Sequence, residues 1–133
     1  GNSGGGNSGG GGGNSGGGNS GGGGGGTSKP QSYNGAAAVA KARGQIGVPY
    51  VYGAGTPGVG WDCSHLVCWA IGIGYMTSGS FKGLPNAANP LPGDPVWSPG
   101  HVALYIGGGQ MIEAPQPGQT VCIASVRGTV KRM

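Results

Sequence analysis

Residues 61–75 read WDCSHLVCWAIGIGY, and the fold turns on what this stretch does. Leu66, Val67, Trp69, Ala70 and Ile73 suit a mostly buried helix that begins near Cys63, with Asp62 where an N-cap belongs. A thiol in the first turn of a helix meets unpaired amides and the positive end of the dipole, which favours the thiolate. A free cysteine is more often a buried structural group, so this one gains weight only from partners elsewhere in the chain.

Upstream, Asn34 to Ile46 reads as a second helix. Asn34 or Ser32 can cap it, Ala36, Ala37, Ala38, Ala40 and Ala42 favour it, and Gly47 and Pro49 stop it. Gly53 to Gly60 is turn-rich, and Thr77 to Pro95 reads as loop, punctuated by Gly79, Gly83, Pro85, Pro90, Pro92 and Gly93. Beyond it the period changes to two. HVALYIG (101–107) and QMIEAP (110–115) flank the glycine turn 107–109 as a hairpin. TVCIASV (120–126) supplies a third strand and VRGTVKR (126–132) a possible fourth. Helices followed by strands predict an α+β fold, with an antiparallel sheet packed on the Cys63 helix.

The chain has 133 residues and 36 glycines, and its first 26 positions are almost entirely Gly, Asn and Ser. That segment has no apolar side chain to bury against the entropy of ordering. Residues 1–32 are therefore expected to be a flexible, disordered linker, and 33–133 one domain. The chain opens on Gly rather than Met, as a processed product or excised fragment does. No apolar run approaches the roughly 18 residues that span a bilayer. A net charge of +4 is spread over scattered bases without interleaved aromatics, which argues against nucleic acid and permits an anionic polymer. Three cysteines leave at least one unpaired. Cys68 is a poor disulfide partner for Cys63 on the same helix. It and Cys122 are expected as reduced core residues, with a bridge between the two as the alternative.

His101 opens a strand just after Ser98-Pro99-Gly100, at a sheet edge where its ring can meet the Cys63 thiol as base. The only acids are Asp62, Asp94 and Glu113, and Asp94 is expected to serve its own turn. A three-residue turn at 107–109 sets Ala103 opposite Glu113 and brings Glu113 diagonally within reach of His101. A two-residue turn slips the register and sends Glu113 to the other face, with Gln116 opposite His101 instead. Glu113 is therefore expected to orient the imidazole, and Gln116 is the substitute. Trp61, Trp69 and Trp97 are assigned to packing, and Lys41 and Arg43 to a solvated helix face.

GVPYVYGAG, WDCSHLVCWA, LPGDPVW and HVALYIGGGQMIEAP, in that order and spacing, resemble the NlpC-type (NlpC/P-sixty) cell-wall cysteine peptidases, which are papain-like. The resemblance covers about Ala36 to Val126. It implies Cys63 as nucleophile, His101 as base and Glu113 as third catalytic residue. Tyr50, Asp62, Ser64 and Gln116 are expected against the substrate, and backbone amides at the helix start against the oxyanion. It further implies cleavage of peptidoglycan stem peptides, commonly between D-glutamate and diaminopimelate. No metal or cofactor is needed, and a monomer acting outside the cell or in the wall, bacterial or phage-borne, is expected. Two positions depart from the pattern. His65 stands where glycine is usual, which could crowd the groove, point harmlessly outward or, as a less favoured alternative, bind substrate, and Tyr52 replaces a tryptophan. His65 motivates the alternative of a wall-binding relative without turnover; an acyltransferase or amidase on the same dyad is a third possibility.

Overall fold

The computed structural model describes residues 26–133, so the expected linker over residues 1–25 lies outside the described residues. The hydrogen-bonded chain begins earlier than the expected boundary at 33. Thr27 bridges Ala87, the Ser32 amide donates to the Met133 carbonyl, and the Arg132 guanidinium donates to the Lys29 carbonyl.

Helix α1 spans Gly35–Arg43, and the Asn34 side chain accepts from the Ala37 amide at 3.0 Å as its cap. It ends sooner than its alanines alone would allow, at Gly44. Strands β1 (Gly55–Thr56) and β2 (Gly60–Trp61) form a small hairpin in the stretch read as turns. Helix α2 follows at Cys63–Ile71. Asp62 caps its start, accepting from the His65 amide at 2.8 Å, and Gly72 ends it in the left-handed region at φ 87°.

The segment expected to be loop contains a 3₁₀ helix, Ser78–Gly83, which carries the fully buried Phe81. It also leads into an unforeseen strand, β3 (Pro95–Ser98). Strands β4 (His101–Gly107), β5 (Gln110–Glu113), β6 (Cys122–Ser125) and β7 (Thr129–Val130) complete an antiparallel sheet in the order β6-β5-β4-β3-β7. The α+β architecture is as expected, helices packed on an antiparallel sheet.

Helix α2 covers the central strand β4. Leu66, Val67 and Ala70 pack with Val102, Leu104 and Ile112, and Ala38 and Ala42 of α1 join them, all buried. Small residues on α1 let the two helices approach closely. A buried side chain such as Leu66 stabilises the fold by roughly 2 kcal/mol. Val96, Ala103 and Met111 form a second cluster on the opposite face of the sheet. The tryptophans pack as expected: Trp61 is fully buried, donates to Gln45 Oε1 at 2.9 Å and lies 4.9 Å from the Trp69 ring. Lys41 and Arg43 are exposed, as the solvated-face assignment has them, and the Lys41 amine also sits 4.4 Å from the Trp69 ring centre and donates to the Trp69 carbonyl.

Candidate active site

The β4–β5 turn settles where Glu113 points. It has two residues, Gly108 and Gly109, with φ of 62° and 76°, as the favoured hairpin turn demands. A two-residue turn alone would misplace Glu113. A bulge between Tyr105 and Gly107 restores the register, so Leu104 faces Ile112 as the three-residue turn would have set it. Glu113 accordingly meets His101, with Nε2 of the imidazole 2.9 Å from Oε1 of the carboxylate. Glu113 is only 3% exposed. A carboxylate can only accept, so the imidazole proton sits on Nε2 and the Nδ1 lone pair is left free.

Arg127 joins the same oxygen, its Nη2 2.5 Å from Glu113 Oε1. No sequence signal pointed to it. Its place depends on Gly128, where φ is 114° and a Cβ would fall 2.3 Å from the Trp97 carbonyl oxygen. That close crossing returns the chain to β3 and sets Arg127 beside the hairpin. Gln116, the expected substitute, leaves His101 to Glu113 and lines the adjoining cavity with it.

Cys63 is the first residue of α2 and half-buried. The backbone amide of Val102, the residue after His101, faces its sulfur, as do the amides of Ser64 and Cys63 itself. These amides favour the thiolate, but burial outweighs them and pushes the thiol above its ordinary value, with the Asp62 charge adding to the rise. The expectation of a thiol lowered by the helix start is corrected here. At rest the sulfur keeps its proton and needs a base to remove it.

Tyr50 lies close enough to the thiol that its hydroxyl is pushed upward by burial and by the neighbouring Cys63 and Asp62. Asp62 and Ser64 stand at the start of α2. Both are buried, and both are occupied by the protein. Asp62 accepts from the His65 amide, from the Gly53 amide at 3.1 Å and from His65 Nδ1 at 2.8 Å. The Ser64 hydroxyl bonds the Tyr75 hydroxyl at 3.0 Å. Asp62 serves as the helix cap and the Ser64 hydroxyl is engaged by Tyr75 and Asp62, so neither side chain is left free as a substrate contact would need.

His65 neither crowds the site nor points idly outward. Its ring folds back to Asp62, stacks on Tyr75 at 4.1 Å and covers Gly55, where a Cβ would meet it at 2.7 Å. Replacing His65 with alanine is expected to cost about 1–2 kcal/mol, from one hydrogen bond and one ring stack, and to leave turnover within a few-fold. Urea unfolding and a turnover assay on the same preparation check this; a large loss of turnover at unchanged stability would contradict it. Cys68 and Cys122 are free, the reduced state expected of them. Among the described residues no group of His, Cys, Asp and Glu side chains could hold a metal ion, and no helix is long and apolar enough to cross a membrane.

The model of the NlpC/P60 family matches residues 47–132, from the end of α1 through the whole sheet. The chain belongs to the NlpC/P60 family. Protein P54 of Enterococcus faecium is 38% identical over 109 residues, which are 72% of this chain and 21% of that protein. Peptidoglycan endopeptidase RipA of Mycolicibacterium smegmatis is 32% identical over 112 residues, covering 67% of this chain and 22% of RipA. The chain thus spans about a fifth of either relative. The crystal structure of the NlpC/p60 domain of peptidoglycan hydrolase SagA superposes with a TM-score of 0.59 at 40% identity, covering 70% of this chain and 90% of that one. Structures of a resuscitation promoting factor interacting protein RipA, mutated at a cysteine, a histidine and a glutamate, are each 31% identical with a TM-score of 0.61 over 74% of this chain and 61% of that one. The NlpC/P60 fold therefore accounts for the sheet, for α2 and for the placing of the Cys63 helix against β4.

Proposed function

We propose that this NlpC/P60 chain is a peptidoglycan cysteine endopeptidase, with Cys63 as nucleophile, His101 as base and Glu113 orienting the imidazole. One observation carries the reading: Glu113 holds His101 through Nε2, on the strand whose next amide faces the Cys63 sulfur. Nδ1 is then the atom that takes the thiol proton as sulfur attacks the substrate carbonyl carbon. The amides of Cys63 and Ser64 are donors for the charge that develops on the carbonyl oxygen. As the C–N bond breaks, His101 returns that proton to the leaving amine. A thioester on Cys63 remains. Water, giving its proton to His101, attacks the thioester; a carboxylate leaves and the thiol is restored.

The names of RipA and of the SagA domain support peptidoglycan as substrate. The amide between D-glutamate and diaminopimelate in the stem peptide is the bond proposed, with the chain acting as a monomer at the wall, outside the membrane. The wall-binding alternative loses its motive, because His65 is seated on Asp62 and Tyr75.

Incubation with purified muropeptides, followed by mass spectrometry, tests the proposal. The expected products are two fragments that together weigh one water more than the substrate, one ending in D-glutamate and the other beginning with diaminopimelate. Intact muropeptides after incubation with folded protein would sink it.

A further inference from the structure

A cavity of about 430 Å³ adjoins the catalytic pair on the Glu113 side. Its walls include His101 and Glu113 together with Ser98, Gln116, Gln119 and Arg127, and Cys63 is not among them. Arg127 has one side-chain partner among the described residues, the shared Glu113 oxygen reached through Nη2. Its side chain is 58% exposed, so the other edge of the guanidinium is open to a ligand. Gln116 and Gln119 are exposed beside it, and their side-chain amides, like the Ser98 hydroxyl, have no hydrogen-bond partner among the described residues. Four polar side chains with unused capacity therefore converge on one space.

Charge narrows the ligand. All three acids of the chain are buried: Asp62 at 7% exposure, Asp94 at 0% and Glu113 at 3%. The exposed charged side chains, Lys29, Lys41, Arg43, Lys82 and Arg127, are all basic. No exposed carboxylate of the chain competes for Arg127. A planar, always-charged fork flanked by amides matches a carboxylate on a peptide.

Position narrows it further. The acyl half of a substrate is attached at Cys63, while His101 protonates the departing amine. A cavity walled by His101 and not by Cys63 takes the amine half. We infer that Arg127, with Ser98, Gln116 and Gln119, forms a subsite for a free carboxylate carried by the residue on the leaving-amine side. This inference rests on the peptidase reading above. Arg127 then has two tasks: it steadies Glu113 from behind and selects for an anionic leaving segment.

Two stem peptides that differ only in that group, free carboxylate against carboxamide, separate these tasks. The wild type is expected to favour the carboxylate about tenfold or more in kcat/KM, chiefly through KM, and to lose the preference as salt is raised. Arg127→Ala and Arg127→Gln are expected to erase the preference, and Arg127→Lys to keep part of it. An equal slowing of both peptides in Arg127→Ala, with the preference intact, would leave Arg127 as a positioning residue alone and overturn the subsite. Calorimetric binding of the same peptides to Cys63→Ala removes any dependence on turnover. If the carboxylate form binds tighter there, and no longer does in Cys63→Ala/Arg127→Ala, the subsite stands even where the wild type cuts neither peptide and the peptidase reading fails. Equal or absent binding of the two forms overturns the subsite.

Discussion

Alanine at Cys63 is expected to lower kcat by about 10⁴-fold or more while the protein stays folded, and His101→Ala to do nearly as much. The two losses should not add, because in the proposed mechanism sulfur and imidazole act as one unit: one attacks only as the other takes its proton. The thiol is half-buried, and its pKa is raised by desolvation and by Asp62 against the pull of three backbone amides. A raised acid stays protonated to higher pH, so the resting site holds S–H rather than a thiolate. Alkylation of Cys63 by iodoacetamide, which needs the thiolate, should therefore keep accelerating through and beyond the ordinary thiol value of 9.0. In the proposed mechanism, turnover at neutral pH then depends on His101 acting within the attack itself. A plateau in the alkylation rate below pH 7 would show a thiolate–imidazolium pair already formed and would reverse this order of events. Turnover retained by Cys63→Ala would remove the cysteine mechanism altogether.

Some of this site was legible because local rules agree with one another. Asp62 before an apolar helical run places Cys63 at a helix start, and the two-residue period after Gly100 places His101 and Glu113 on neighbouring strands. The register came out as expected by an unexpected route, a tighter turn offset by a bulge, because three successive glycines admit both. Arg127 could not be found in this way. It reaches Glu113 from the connection between β6 and β7, where Gly128 crosses the Trp97 carbonyl, a contact between residues far apart in the chain. Strand β3 was hidden by the prolines and glycine around it: Pro95 opens an inner strand there while giving no amide to the ladder. The thiol shift was missed for a related reason, since helix position is local whereas desolvation comes from the sheet packed over it. One signal was available and unused. A chain with three acids against seven bases keeps few carboxylates for its surface, and each of the three proves to be buried against a basic partner: His65, Arg132, or His101 with Arg127.

Asp94→Ala is expected to destabilise the fold by about 3–5 kcal/mol, a large share of the roughly 5–15 kcal/mol that holds a domain together. Asp94 is fully buried and Arg132 is 2% exposed, and they meet through two parallel bonds, Nε to Oδ1 at 3.0 Å and Nη2 to Oδ2 at 2.9 Å. Removing the carboxylate strands a guanidinium that cannot deprotonate and has no water to return to. The pair also carries other groups, so Asp94 does far more than shape its own turn. Asp94 accepts from the Leu91 amide at 2.8 Å and from Gln31 Nε2 at 2.9 Å, and Arg132 donates to the carbonyls of Lys29 and Asn89. The segment before α1, the loop before β3 and the C-terminus are thereby tied at one point. An apolar replacement of both partners, Asp94→Leu with Arg132→Met, removes the stranded charge and should recover part of the loss. It cannot recover all of it, because four further polar groups lose their partners. Urea unfolding of the two single variants and the double gives the coupling directly. A single Asp94→Ala that shifts stability by less than about 1 kcal/mol would mean that water enters and solvates Arg132, and the pair would then contribute no more than a surface ion pair does.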